Sequence, residues 1–470
     1  AVGPYALVHG AQYLEHGTIN SCAEHPTEVG EGVQARSFIL SEGARVESGA
    51  IIEKVFVGQG VKMGKQFSAE NSLFFANCEA FHGEAVSIFA GPYTVTHHKS
   101  TLLIAGMFSF YNAGSGTNQS NHMYKLGPVH QGVLERGCKT GSFSYLMLEA
   151  HIGAFSVVIG KHYANINAPN FPFSYITEEA GATKIIPGLN LSSVGTVRDG
   201  EKWPKRDNRR APNKRDLIIF DVFSPYTVEK MRRGRDELLA LSENVPKEKT
   251  IVNYGGAQLS RLLLRKGAKY YSLAIARYLN EKVTARLQEA LTKTKDWKAA
   301  TASLAPRSNL RNSTEWTDIS GLITPRERIG QLEAAVANGT LSTYDALLAQ
   351  FQKMYDAYRD DEWRYVYDVF AREYNVLLEA MTKEQACSAI DEWESAAMEL
   401  HGMILDDSKK EFGAFAKIGY GVDQSDENVQ RDFEAVRGSV GTNSVVQKLV
   451  ADGSAIQKRK EQFKELLASI

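Results

Sequence analysis

His97 and His98 are adjacent, and His122 and His130 follow a polar run, Asn112-Ala-Gly-Ser-Gly-Thr-Asn-Gln-Ser-Asn121. A neutral imidazole with a pKa near working pH can take a proton from a hydroxyl or amine as it attacks a carbonyl. These four histidines are the candidate catalytic residues, and Lys99, Asn118 and Asn121 are candidates to orient substrate or donor. On an extended strand, His97 and His98 would point to opposite faces, so only one of them could serve a shared cleft. His151 and His162 stand beside apolar strand starts and read as outward-facing residues with a weaker claim. Three imidazoles around an open position would also suit a metal that activates water. The spacings here match no ligand pattern, so no metal ligand is assigned and no cofactor is identified. For any single histidine, a satisfied imidazole on a polar face is the plain alternative.

The second concentration of chemistry is basic. Between Arg198 and Arg215 stand Arg198, Lys202, Lys205, Arg206, Arg209, Arg210, Lys214 and Arg215, against Asp199, Glu201 and Asp207. Guanidinium forks suit phosphate and carboxylate groups, which makes Lys202, Arg206 and Arg209 candidates for a phosphorylated or nucleotide-linked small molecule. A solvated, charged linker is the competing reading, although Trp203 and Pro204 argue for partial order. Gly114-Ser-Gly116 lacks the third glycine of a dinucleotide loop, and neither a phosphate-loop lysine motif nor a Gly-x-Ser-x-Gly elbow is present, which removes kinase, P-loop, Rossmann and serine-hydrolase readings.

The elements that must position these residues fall into two regions. Residues 1–200 carry 12 Lys+Arg and 15 Asp+Glu, and residues 201–470 carry 42 and 40. All five Trp lie in the second region, and ten of eleven His precede residue 163. The first region advances in six-residue steps: Leu40-Ser-Glu-Gly-Ala-Arg, Val46-Glu-Ser-Gly-Ala-Ile, Ile52, then Val57-Gly-Gln-Gly-Val-Lys and Met63-Gly-Lys-Gln-Phe-Ser. Val2-Gly3, Val29-Gly30, Ile152-Gly153 and Ile159-Gly160 continue the theme, with a five-residue step from Ile52 to Val57. Three such steps make one triangular coil of a parallel β-helix, each opening aliphatic pointing inward onto its counterpart one coil away.

These repeats resemble the hexapeptide-repeat superfamily of left-handed parallel β-helices, whose best-known members are acyltransferases and the tail domains of sugar nucleotidylyltransferases. The string from Ile88 through Gly91-Pro-Tyr-Thr-Val-Thr-His-His-Lys-Ser100, with Asn118-Gln-Ser-Asn-His-Met-Tyr-Lys-Leu-Gly-Pro-Val-His130 and Trp203-Pro-Lys-Arg, is similar to a bacterial family that joins such a helix to a helical C-terminal region. The resemblance implies a histidine general base in a groove between subunits, a homo-oligomer with a trimer favoured, and an N-terminal extension ahead of Val2-Gly3. A carbonic-anhydrase branch of the superfamily supplies the metal alternative, whose ligand pattern this chain does not reproduce.

The expected domains are a left-handed parallel β-helix over 1–197 with an insertion at about 88–131, a basic connector over 198–222, and an α-helical domain over 223–470. Ser224-Pro225, Thr324-Pro-Arg-Glu327 and Thr382-Lys-Glu-Gln385 read as helix starts. The aromatic residues of 355–374 are interleaved with Asp and Glu and read as helix-packing core. Net charge is -1, so no global field recruits nucleic acid or a membrane. No apolar run is long enough to span a bilayer, and the four widely spaced Cys read as reduced, giving a cytoplasmic placement. The expected function is an acyltransferase-like enzyme acting on a sugar, nucleotide-sugar or similar polar metabolite. The alternative is a non-catalytic scaffold, and the discriminator is whether two imidazoles converge in one cleft with Lys99 or scatter around the prism.

Overall fold

In a computed structural model, residues 1–120, 132–147 and 149–470 are described. Short strands recur in threes, beginning with Leu7–Val8, Tyr13–Glu15 and Thr18–Ile19, and each pairs in parallel with its counterpart on the next coil. The result is a parallel β-solenoid of nine coils with three sheets, here called first, second and third in that order. The register Glu28↔Arg45↔Lys62↔Glu79 fixes a coil at 17 residues, two hexads and one pentad, which is the short step foreseen between Ile52 and Val57. The first sheet is extended by Tyr175–Glu179, its antiparallel partner Ala182–Ile186, and the hairpin Ile251–Tyr254 with Ala257–Ser260.

The aliphatics that open the hexads do point inward: Val29, Leu40, Val46, Ile52, Val57, Met63 and Ile152 are buried. Two expectations are corrected. The step at Ile159 is out of phase by one residue, because Val158 is buried and Ile159 is exposed; three consecutive aliphatics hid the phase. His162 occupies the inward position paired with Leu146 and is fully buried. Its Nδ1 lies 2.9 Å from Thr183 Oγ1, and burial lowers its pKa.

Residues 88–120 are not an insertion. They form regular coil strands, among them Phe89–Ala90, Val95–Thr96, Thr101–Ile104, Gly106–Phe108, Asn112–Ala113 and Asn118–Ser120. The extra length lies later: Asn112 pairs with Lys139, a step ten residues longer than the regular coil. The inward positions here hold Ala90, Thr96, Ala113 and Gln119, too small or too polar to announce a repeat.

At the corner leading from the third sheet to the first, successive coils place Gly43, Gly60, Asn77, Tyr93, Phe110, Gly137, Phe155 and Phe173 in the left-handed region. A non-glycine residue there costs on the order of 1 kcal/mol, so the four aromatic members need compensation. They receive it by stacking, Tyr93 on Phe110 with centroids 5.4 Å apart and Phe155 on Phe173 at 4.9 Å.

Nine α-helices occur among the described residues: α1 (Val194–Lys205), α2 (Pro225–Asn244), α3 (Arg261–Thr294), α4 (Trp297–Ala302), α5 (Arg326–Ala337), α6 (Tyr344–Tyr374), α7 (Lys383–Lys409), α8 (Asp426–Arg437) and α9 (Ser444–Ala468). Ser224 and Thr382 cap α2 and α7 in full capping boxes, as expected. Thr324 does not cap: it lies in the hairpin strand Leu322–Pro325, and α5 starts after Pro325 without a side-chain cap. No helix among the described residues is long and apolar enough to cross a membrane.

The helical region is not one separate body. Asp199–Ala268 and Thr314–Tyr358 belong to the same compact unit as the solenoid, Ala1–Asn190, while Leu191–Arg198, Lys269–Ser313 and Arg359–Ile470 form the second unit. Inside the second unit Trp363 donates Nε1–H to Leu304 O at 2.8 Å and lies under Arg286. Tyr365 and Phe370 are buried, so this aromatic run is packing core.

Candidate functional site

Successive coils bring Lys65, His82 and Lys99 to the same corner, between the first and second sheets. Lys65 and His82 are themselves in the left-handed region, at φ 51° and 54°. Beside them the second sheet aligns Ser68, Glu84, Leu102 and Asn118 across four strands. Together these residues line an open polar cleft of about 600 Å³. Asn118 reaches it from the strand Asn118–Ser120, and its Oδ1 is buried without a hydrogen-bond partner. Such a group is costly to bury unless something completes it. With adjacent coils about 4.8 Å apart, the two lysines flank the imidazole across roughly 10 Å.

Two of the residues chosen from the sequence, Lys99 and Asn118, meet here. Asn121, His122 and His130 lie outside the described residues. His97 sits on the first-sheet side of the corner, where its Nε2 engages Glu79 Oε2 and its ring stacks on Phe81 at 5.9 Å. His98 is exposed, its ring edge-on to His97 at 6.4 Å. Lys65 and His82 were missed, although the spacing 65, 82, 99 carries the coil period in plain view.

The hydrogen bond from His97 is the largest influence on Glu79; burial opposes it, Lys62 reinforces it, and the carboxyl is held at about 2. A depressed carboxyl stabilises the fold above its ordinary value of 4.5, and that contribution disappears as pH falls through about 2. Replacing His97 by Ala is therefore expected to destabilise the protein above pH 4.5, with the difference from wild type shrinking to nothing below pH 2. A difference that stays constant across pH 2–6 in urea titrations would refute the pairing.

Much of the connector docks on the solenoid. Arg209 has a side chain only 3% exposed and grips both Asp207 oxygens and the Asp216 carbonyl. Asp207 also accepts from Asn77 and Lys214. Further along, Arg215 pairs with Glu42, and Gln59 bonds to the backbone of Asn213 and Arg215. Arg206 is exposed, and Lys202 is half-buried on α1. The structure brings neither into the cleft of Lys99 and Asn118.

His151 does face outward, as expected, but with a partner the sequence did not suggest. Its Nε2 is 2.8 Å from Glu135 Oε1, which also accepts from Lys230 Nζ at 2.7 Å. Burial raises the Glu135 carboxyl, but Lys230 and His151 more than reverse this and hold it below the usual range. Burial also pushes the Cys78 and Cys138 thiols far above their ordinary value, which removes them as nucleophiles. Among the described residues, no group of three His, Cys, Asp or Glu side chains is placed to hold a metal ion.

Comparison with known proteins adds the following. A family described as "Domain of unknown function (DUF4954)" matches residues 1–242, and a second, "Domain of unknown function (DUF6819)", matches 296–469. An "Uncharacterized protein" of Treponema pallidum (strain Nichols) is 26% identical over 269 residues, covering 55% of this chain and 35% of that protein. The chain thus spans about a third of that relative's length. A solved Arabidopsis UDP-N-acetylglucosamine acyltransferase aligns over 52% of this chain and 90% of its own, at 15% identity and a TM-score of 0.22. With its first 242 residues matched, more than half its length, the chain belongs to the DUF4954 family.

Proposed function

We propose that the cleft of Lys65, His82, Lys99 and Asn118 binds an anionic polar metabolite and that the chain is a transferase acting on it. The observation that carries the reading is the alignment of two cationic side chains and one imidazole on three consecutive coils, against a single carboxylate, Glu84, in the same lining. The lysines would hold phosphate or carboxylate oxygens, and Ser68 and Asn118 would border the substrate's polar edge. His82 would take the proton from the attacking hydroxyl or amine as the new ester or amide bond forms and the leaving group departs with the acyl donor's electron pair. His122 and His130, nearby in sequence to Asn118, remain candidates for the same role. A homotrimer belongs to this proposal, and a monomer by light scattering would remove any intersubunit groove from it.

Inorganic pyrophosphate is the first probe, titrated calorimetrically. Lys65→Ala and Lys99→Ala are each expected to weaken its binding about tenfold, with unfolding unchanged because both side chains are exposed. In assays pairing acyl-thioester donors with amino and hydroxy sugars, His82→Asn is expected to lower turnover about a hundredfold while pyrophosphate affinity holds. Unchanged affinity in the double lysine variant would sink the cleft as the site.

The scaffold reading has its own support. Among the described residues, His97 faces the first sheet, His151 the third and His162 the interior, so only His82 joins Lys99 in the cleft. Failure of every anion and sugar tested to bind would favour it.

A further inference from the structure

Across the second to fifth coils, the outer face of the third sheet is apolar. Ile39, Phe56, Leu73 and Phe89 stand in register, and Phe75 lies between two neighbours, 5.7 Å from the Phe56 ring and 4.7 Å from that of Phe89. Within the same compact unit this face has a roof. Tyr344, Leu348 and Phe351 come from one side of the first turns of α6, at helical spacing, while Leu322 comes from the hairpin and Leu217 from the connector. Floor and roof do not meet: they flank a half-open cleft of about 500 Å³, with Ile39 and Tyr344 exposed at its mouth. A concave, mostly apolar cleft of this size is in the range of small-molecule sites. A more polar hollow adjoins it along the shared wall of Arg215, Asp216, Tyr344 and Phe351.

The chemistry of the lining decides what fits. Five aromatic rings, Phe56, Phe75, Phe89, Tyr344 and Phe351, line floor and roof, and an aromatic guest gains stacked and edge contacts worth about 0.5–1.5 kcal/mol per pair beyond the area it buries. An aliphatic chain gains the area alone. The charged groups at the wall are already engaged: Arg215 pairs with Glu42 at 2.9 Å, Lys214 with Asp207 at 2.8 Å, and the Asp216 carboxylate accepts from Ala76 N at 2.7 Å. A charged guest would have to break one of these bonds, whereas a neutral one need not.

We propose that this cavity is a binding site for a flat, uncharged, fused-ring aromatic molecule, held between the Phe75 and Phe89 rings below and Tyr344 and Phe351 above, with its polar edge towards Arg215. It is separate from the Lys99 cleft and does not depend on the function proposed for it. The test titrates the full chain with 2-naphthol, with its saturated counterpart decahydro-2-naphthol, and with 2-naphthalenesulfonate, reading affinity by calorimetry. Binding of one 2-naphthol per chain is expected, at least fivefold tighter than either comparison compound. Leu348→Trp fills the cavity from the roof; Ile39→Trp fills it from the floor, at a residue 47% exposed where a larger ring is accommodated without strain on the fold. Each should weaken 2-naphthol at least tenfold. Equal or tighter binding of the saturated alcohol or the sulfonate overturns the ligand class. Undiminished 2-naphthol binding in folded Ile39→Trp overturns the site, as does a failure of 2-naphthol to bind the wild type.

Discussion

Asp207→Ala is expected to cost about 3–5 kcal/mol of stability, the scale observed when one member of a buried ion pair is removed. The side chain of Asp207 is 13% exposed and that of Arg209 is 3% exposed. Arg209, Lys214 and Asn77 all converge on this one carboxylate. Burial raises the Asp207 carboxyl, and these donors overcome the rise and hold it well below the usual range. Without it, the Arg209 guanidinium stays buried with only the Asp216 carbonyl of its present acceptors, and Asn77, in the left-handed corner position, keeps only the Asn208 N–H of its two links to the connector. Lys214→Ala provides the contrast. Its side chain is 49% exposed, so the same bond lost from the solvent side should cost less than about 1 kcal/mol. Urea unfolding separates the two, and limited trypsin cleavage after Arg210 should accelerate only in Asp207→Ala. Equal stabilities for the two variants would mean that the connector's docking does not depend on this pair.

The connector shows why charge patterns mislead. Eight basic residues in eighteen positions read as a surface for an anionic ligand, because a linear sequence cannot show that Asn77, Gln59 and Glu42 come up to meet them from coils more than a hundred residues earlier. Arg209 was chosen for its chemistry, and that chemistry is used internally. The solenoid was legible for the opposite reason. Its contacts repeat at a fixed short interval, so Leu40, Val46, Ile52, Val57 and Met63 each report the same inward position. Legibility failed where the inward residue changed type without changing place, at Thr96, Ala113, Gln119 and His162, and where neighbouring aliphatics blurred the phase at Ile159. The candidate cleft was half legible. Lys99 and Asn118 came from composition, whereas Lys65 and His82 become visible only when the coil period is applied to polar residues as well as to apolar ones. His151 and Glu135 stand 16 residues apart on successive coils, but their third partner, Lys230 from α2, could not be read from spacing.

Phe110→Ala should be comparably damaging, about 3–5 kcal/mol, as for other large-to-small changes at fully packed aromatic positions. The side chain is 2% exposed and has three kinds of neighbour. Its ring stacks on Tyr93, lies 4.6 Å from the Trp203 ring, and carries the Arg136 guanidinium 4.6 Å above its centroid. Arg136 is buried and donates Nη2–H to the Ile219 carbonyl at 2.6 Å, but its Nε and Nη1 have no hydrogen-bond acceptor, and Asp318 Oδ2 is 3.5 Å away. The ring face therefore supplies part of the stabilisation of a desolvated cation, a contact worth on the order of 2 kcal/mol when water is excluded. The backbone adds a second comparison. Phe110 has φ 51°, a conformation that costs alanine as much as phenylalanine but costs glycine little. Phe110→Gly should accordingly be less destabilised than Phe110→Ala by about 1 kcal/mol in the native state, a margin narrowed by the larger entropy of the glycine variant when unfolded. Measured by urea unfolding, that order isolates the two terms: the shared loss belongs to the ring's packing and its cation, and the difference belongs to the left-handed corner. If Ala and Gly both leave stability within 1 kcal/mol of wild type, the aromatic corner ladder does not hold the connector and α1 against the solenoid.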